Sequence, residues 1–332
     1  QKLFGLYGPD GLLIGEDGRV HTHFSDNPST FRFASYGPNM QNIPRDSEIR
    51  DLFVASEGCT LGARDFSGIE AVLVGYFSGD KDYTRLAKMG VHDYFNAHIA
   101  HQRGDIDRQD IPDLSWSDAD LAAYLQELKN DTLLKRTRPI AKMGVHMSNY
   151  IGTPLRMYQA APKLFGNVAG AETVQGLYFD VFPAIRQWQR HTCEQAERQG
   201  YVRSPYGVPH RFYQVYNYKK DPDTNAWVKI LGDDAKRCVA YNPQHTAAVI
   251  MRRAIWRLGQ DPTIRPYLRL TIHDELLWEC PTAEHQRVDA TIKSIMEEPQ
   301  PELKLEPSWG MGEYLSIGTE GKFGKRWGSM HG

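Results

Sequence analysis

Residues 268–280, LRLTIHDELLWEC, place two apolar half-strands on either side of the adjacent carboxylates Asp274 and Glu275. Apolar runs flanking a polar kink predict a buried β-hairpin with its charges at the tip. Two bare carboxylates at the lip of a packed sheet repel unless a cation sits with them, so a metal ion accounts for them economically; a solvated turn is the plain alternative. A second carboxylate on a similar apolar lead, Asp65 in CTLGARDFSGIEAVLVGYFSGD, lies 209 positions earlier and shifts the weight toward the metal.

The 332 residues can bury a substantial core as one large domain or two smaller ones. A composition 41% hydrophobic and 24% charged, with no long apolar run and no signal-peptide pattern, predicts a soluble intracellular protein without a membrane partner. A start at Gln1 rather than Met suggests a processed product or a fragment. The net charge of −2 gives no global nucleic-acid signature, which counts against a binder that acts by phosphate neutralisation alone. Cys59, Cys193, Cys238 and Cys280 lie far apart with no zinc spacing, so reduced thiols are expected.

Along the chain, residues 1–30 read as turns and short hairpins, and Leu52–Ala55 as a strand. Arg32, Asn39, Gln41 and Asn42 are able to donate hydrogen bonds to a sugar edge or a groove, with a turn or cap role as the plain alternative for each. A strand is predicted to run from Thr60 to Asp65 and a helix from Ser67 through Tyr76, with Ser67 and Glu70 in capping-box spacing. Residues 81–134 read as helical, with His92 just before one helix and an acidic, Trp-containing surface loop in the middle.

In KRTRPIAKMGVHMSNYIG, Pro139 suits the first turn of a helix and Gly152 its far end. Arg138, Lys142, His146 and Tyr150 are spaced by four, a stripe that drifts by roughly 40° per step. Two cations at the helix N-terminus followed by two rings are what a triphosphate at one end and a base at the other require; a solvated basic face is the alternative. Residues 171–200 read as one long amphipathic helix, and GYVRSPYGVPHRFY as a hairpin. A further helical pattern from Asp233 carries Arg237, Asn242, Gln244 and His245 around Pro243, and the last fifty residues give one helix, Thr282–Glu297, and a Trp/Gly-rich tail. Two aspartates at sheet edges and a helix with Arg and Lys one turn apart match the needs of metal-assisted phosphoryl transfer.

Four blocks in this order, RFASYGPNMQNIP, DFSGIEAVLVGYFSGD, RTRPIAKMGVHMSNY and IHDELLWE, resemble family A DNA polymerases of the DNA polymerase I type, phage or plasmid members included. Two weaker blocks, QGYVRSPYGVPHRFY and AYNPQHTAA, fall in the family's order, and the set spans residues 32–280. The resemblance implies an α+β fold of the polymerase right-hand kind, with an antiparallel palm sheet, a helical fingers subdomain and a thumb absent or mostly absent. It divides the chain into palm over 1–80, fingers over 81–235 with the motif B helix at 138–151, and palm again over 236–332. The implied function is template-directed addition of dNTPs to a primer 3′-end with release of pyrophosphate, without proofreading by this chain.

The implied cofactors are two Mg²⁺ ions, with Mn²⁺ as a substitute. They would be held by Asp65, the Phe66 carbonyl and Asp274 with Glu275 in support. Arg138 and Lys142 would bind phosphates, Lys142 as proton donor to pyrophosphate, with His92 beside the triphosphate. His146 would stack on the incoming nucleotide, Tyr150 would pack beside the templating base, and Glu70 would crowd a ribose 2′-hydroxyl; Ser67 and Gly68 complete the nucleotide set. Arg32, Gln41, Asn42, Arg237, Asn242, Gln244 and His273 would meet the primer–template DNA.

Departures from the family pattern are the histidine at 146 in place of Phe or Tyr, Gly68 in place of a polar residue, and Ile151 after Tyr150 where glycine is usual, which predicts a helix ending a residue later. The 31 residues before Arg32 are too few for the family's thumb or an exonuclease domain. A weak grip on DNA follows, unless an upstream region or accessory protein supplies the thumb. The rival readings are a non-catalytic nucleic-acid-binding relic or accessory subunit, and a metal-dependent nuclease on another fold.

Overall fold

Strands Leu268–Ile272 and Glu275–Pro281 pair antiparallel, with Leu277 opposite Leu270 and Glu275 opposite Ile272, so the hairpin forms with its acids at the tip. Its second strand pairs with Cys59–Phe66, which in turn pairs with Thr319–Gly324, giving a four-stranded antiparallel sheet. In this computed structural model residues 7–8, 11–44 and 48–332 are described. The chain divides into two units, Gln1–Ile69 with Gln244–Gly332, and Glu70–Pro243.

In the first unit, alternation along Cys59–Phe66 turns Leu61 and Ala63 to one face, where they join Leu270, Ile272 and Leu277 under Met40, Ile43 and Trp327. Asp65 continues the same face at its end. Gly62 and Trp278 are opposite one another on the other face, and a Cβ at Gly62 would lie 2.3 Å from the buried indole; only glycine lets that ring lie flat on the strand. Arg64 is on this second face too, where its guanidinium donates to Asp289 (Nε–Oδ1 2.9 Å, Nη2–Oδ2 2.6 Å) and to Thr319 Oγ1 at 2.9 Å, tying the sheet to helix His285–Met296. The Trp/Gly-rich tail thus supplies an edge strand that its sequence did not announce. Leu52–Ala55 is not a strand: a 3₁₀ turn covers Arg50–Leu52, and Val54 makes one isolated bridge to Arg326.

The second unit is helical around one apolar core. Helices Ile69–Ser78 (from Glu70 onward), Lys81–Met89, Val91–Arg103, Asp118–Asn130, Arg138–Asn149, Val168–Val181 and Pro183–Gln199 supply most of it. The stretch expected to be one helix over 171–200 is two, because Pro183 has no N–H to continue the ladder and keeps Phe182 out of helical backbone (φ −127°, ψ 66°). The acidic loop is anchored: Arg85 donates to the Leu114 and Trp116 carbonyls and to Asp118. Strands Tyr201–Arg203 and Pro209–Arg211 form the expected hairpin. A second hairpin, Tyr216–Lys220 with Trp227–Leu231, was not read from the sequence. Helix Ala235–Gln260 contains Pro243, and residues 235–243 of it belong to this unit.

Candidate active site: a carboxylate pair and a cationic helix

The register of the sheet decides where the acids go. Asp65 is the partner of Glu275 on one side and of Glu320 on the other. The Phe66 N–H donates to the Asp274 carbonyl at 3.2 Å, so the two aspartates that are 209 positions apart in sequence stand side by side at one end of a sheet face. His273 turns the hairpin in the left-handed region (φ 57°), a conformation that His, Asn and Asp tolerate better than most side chains, and it is exposed. Asp65 and Asp274 are half-buried and Glu275 is buried, so the sheet end mixes an accessible pair with a shielded third acid. Glu320 has no sequence signal, since only the pairing of a remote edge strand aligns it with Asp65. Among the described residues no group of three or more His, Cys, Asp or Glu side chains gathers as a metal cage.

Around this hairpin, Gln41 is buried with its amide accepting from the Ser35 N–H and donating to the Thr271 carbonyl, both at 3.0 Å. It therefore fastens the hairpin strand. Asn42 is exposed in the short turn capped by Asn39, Arg32 and Gln244 are half-buried, and Ser67 donates its N–H to the Gly318 carbonyl at 2.9 Å. Gly68 takes φ +61°, and the following helix starts at Ile69 rather than Ser67. Ser67 is then one position too early for the capping box that its spacing with Glu70 suggested. At the other end of the sheet, burial pushes the Glu279 carboxyl up. The Ser56 N–H and the Arg19 and Arg269 guanidiniums outweigh that and hold it at about 2.

In the second unit, helix Arg138–Asn149 begins with Pro139 in its first turn, as its sequence demands. Ile140, Ala141, Gly144, Val145 and Ser148 form its buried face, with Gly144 so close to Val174 and Phe95 that a Cβ would lie 3.0 and 3.2 Å from them. Lys142 and His146 are exposed on the opposite face, Arg138 is half-buried and Tyr150 buried. The His146 and Tyr150 rings meet edge to face at 6.0 Å. The helix ends at Asn149, two residues before the expected 151. Tyr150 is its cap, and the β-branched Ile151 is forced into the left-handed region (φ 54°), while the Gly152 N–H closes back on the Met147 carbonyl at 2.7 Å.

Three features of this helix escaped sequence reasoning. Asp93, buried, accepts from Arg138 at two points (Nε–Oδ1 2.5 Å, Nη2–Oδ2 3.1 Å), so one cation of the stripe is already held by an anion. His92 lies in the first turn of helix Val91–Arg103, not before it; burial and then the positive charges of Lys142 and Arg138 lower its pKa to about 4, so it stays neutral among cations. The C-terminal end is fixed by Asn149, whose Oδ1 accepts from Tyr178 (2.5 Å) and Tyr83 (3.1 Å), and by Gln189, which donates to the Ser148 and Asn149 carbonyls. Burial pushes the Tyr83 hydroxyl up to about 12 and raises that of Tyr178 well above its ordinary value, which keeps both as donors. That frame sets Tyr150, whose hydroxyl donates to Glu70 Oε2 at 2.9 Å, so the last ring of the stripe and the acid of the first helix are bonded to each other. Arg237 is exposed and paired with Asp234 at 2.9 Å, and Asn242 is half-buried.

The chain is similar to the thermostable DNA polymerase I of Thermus thermophilus, with 31% identity over 91% of this chain and 33% of that protein. DNA polymerase I of Deinococcus radiodurans is 30% identical over 89% of this chain and 28% of its own, and that of Mycobacterium tuberculosis 28% over 91% and 31%. The chain thus spans about a third of the length of the curated relatives it matches. Its fold is similar to that of the solved POL domain of Pol1 from M. smegmatis, a complex with DNA primer-template and dNTP, with a TM-score of 0.68, 21% identity, and coverage of 96% of this chain and 49% of the other. The family model for DNA polymerase family A matches residues 10–329, and on that match, following the ordered blocks and the paired aspartates, the chain belongs to DNA polymerase family A.

Proposed function

We propose that this chain carries the nucleotidyl-transfer centre of a DNA polymerase, adding dNTPs to the 3′-end of a primer on a DNA template without proofreading. The observation that supports it most is the meeting of Asp65 and Asp274 at the end of one sheet face, on the register of strands far apart in the chain. Family membership sets the reaction class. In this reading the sheet unit serves as palm and the helical unit as fingers.

Asp65, Asp274 and the Phe66 carbonyl are hard oxygen donors, which suit Mg²⁺, with Mn²⁺ as a substitute. An accessible carboxylate pair suits ions that keep water and take substrate phosphate oxygens for their remaining positions. Two such ions, when bound, would activate the 3′-hydroxyl and neutralise charge on the leaving pyrophosphate. Glu275, buried behind the pair, supports their orientation.

Lys142 binds the phosphates and supplies a proton to pyrophosphate. Arg138 contributes the guanidinium edge that Asp93 leaves available, and neutral His92 adds a hydrogen bond rather than a charge. His146 presents a ring to the incoming base, Tyr150 packs beside the templating base, and Glu70, oriented by the Tyr150 hydroxyl, crowds a 2′-hydroxyl. Ser67 and Gly68 lead the chain from the metal-binding strand into the Glu70 helix. Arg32, Asn42, Gln244 and His273 of the first unit, and Arg237 and Asn242 of the second, meet the primer–template, with Gln41 acting through the hairpin it fastens.

The test is extension of a labelled primer on a template with all four dNTPs and Mg²⁺, against an EDTA control, for the chain and for Asp65→Asn and Asp274→Asn. Growth by the chain, with each variant at least about a hundredfold slower and still folded by circular dichroism, is expected, since each removes charge stabilisation at the reacting phosphorus. No growth by the chain would favour a non-catalytic relic, shortening would favour a nuclease, and near-normal growth by either variant would remove that aspartate's role.

A further inference from the structure

We propose that the hairpin Tyr216–Lys220/Trp227–Leu231 binds single-stranded nucleic acid, stacking unpaired bases on its rings while its lysines meet the phosphates. Among the described strands these two pair only with each other, and apart from Tyr216 every residue in them is exposed. Trp227 is 67% exposed and Tyr218 62%. An isolated two-stranded ribbon is marginal in water, so displaying large rings on one is costly unless something covers them.

The register gives the face its chemistry. Residues opposite one another share a face. Tyr216 with Leu231, Tyr218 with Lys229, and Lys220 with Trp227 therefore stand on one side, and on two successive rungs a ring faces a lysine. Lys220 Nζ lies 5.7 Å from the Trp227 ring centre and Lys229 Nζ 3.9 Å from that of Tyr216, which orders the rings and keeps cations next to their faces. Lys229 also contacts Glu197.

The alternation of rings and lysines across the rungs selects the occupant. The hairpin carries Lys219, Lys220 and Lys229, and its two acids lie in the turn. Asp221 there accepts the N–H groups of Thr224 and Asp223, which lower its pKa, so its negative charge stays in the turn beyond the paired strands. Flat, exposed rings interleaved with lysines match the sequence-tolerant stacking and backbone attraction by which single strands are held, whereas a duplex keeps its base faces covered. Arg186 and Arg190 line, with Tyr216 and Leu231, a cavity of about 320 Å³ beside the ribbon; Arg186 lies over the Phe179 ring and Arg190 pairs with Glu194.

The experiment titrates fluorescein-labelled oligo(dT), and separately a blunt duplex, with the full chain, reading anisotropy without dNTP or added metal. An inactive polymerase centre thus leaves this result standing, and failure here leaves that centre untouched. Trp227→Ala and Tyr218→Ala are expected to weaken oligo(dT) binding roughly tenfold each and duplex binding less than about twofold. Lys220→Gln should flatten the salt dependence of oligo(dT) binding by about one ion. Trp227→Phe keeps a π-face and should retain most affinity, while Trp227→Leu keeps apolar area and should lose it; this pair separates stacking from any loss of folding. Unchanged oligo(dT) affinity in the alanine variants, or equal losses on single strand and duplex, would overturn the proposal. So would sedimentation in which the same variants abolish self-association while oligo(dT) affinity holds, which would make the hairpin a protein contact.

Discussion

The sheet unit and the helical unit solve opposite electrostatic problems with opposite kinds of structure. In the sheet, like charges are held together by backbone register: Asp65 cannot leave Glu275 or Asp274 without breaking a ladder of strand pairing. In the helical unit, cations are set by local spacing along Arg138–Asn149, and their behaviour is then adjusted by single side chains from elsewhere, Asp93 on Arg138 and Glu70 on Tyr150. The acids of the sheet are therefore fixed in position by backbone pairing, whereas Arg138 on the helix is set by a side-chain ion pair. Each unit is close-packed behind its functional face around a glycine, and those glycines offer the sharpest comparison.

Gly62→Ala drives a Cβ to 2.3 Å from the Trp278 indole, whose ring is buried and unable to move, and is expected to cost about 3 kcal/mol. Gly144→Ala meets Val174 at 3.0 Å, but gains helix propensity of about 1 kcal/mol, so a net change below about 1 kcal/mol is expected. Urea unfolding of the two variants measures the difference; equal costs would mean that the sheet is no stiffer than the helix pair.

The helical side is probed next. Glu70→Ala should lower the preference for dNTPs over rNTPs by about tenfold or more, roughly 1.4 kcal/mol, and Tyr150→Phe, which removes this hydroxyl donor while keeping the ring, should give an intermediate loss. The ratio of kcat/KM values reports it, and an unchanged ratio would leave Glu70 as a structural partner of Tyr150 alone.

The smallest effect is an order of acid sensitivity. Folded His92 resists protonation down to about 4 while the unfolded chain takes a proton near 6.5, so this contribution to stability is whole above 6.5 and is lost as pH falls from 6.5 to 4. Glu279 keeps its charge down to about 2 when folded and protonates near 4.5 when unfolded, so its contribution is whole above 4.5 and is lost between 4.5 and 2. Thermal melts against pH should show His92→Gln flattening the upper window and Glu279→Gln the lower one. The reverse assignment would contradict both environments.

The hairpin around His273, the strand that carries Asp65 and the N-terminal half of the Arg138 helix were legible because apolar periodicity and a first-turn proline are local signals. The helix end was not, since it rests on Ile151 accepting a backbone conformation that its side chain disfavours, held by the Gly152 closure and the Asn149 frame. Pro183 was visible, yet a continuous amphipathic pattern across it read as one helix. The exposed hairpin at 216–231 was hidden because strands solvated on both faces show no apolar alternation.

What the sequence determined by itself was the chemistry available: two aspartates on apolar leads, cations and rings at four-residue spacing, and the order of blocks that marks the family. What only the tertiary structure decided was which charges stand next to which. Asp65 beside Asp274, Arg138 on Asp93, His92 neutral among cations and Tyr150 on Glu70 all depend on contacts between segments far apart in the chain. The physical reason is that charge and hydrogen-bond energies depend on distances of a few ångströms, and strand register and helix packing fix those distances while local sequence patterns leave them open.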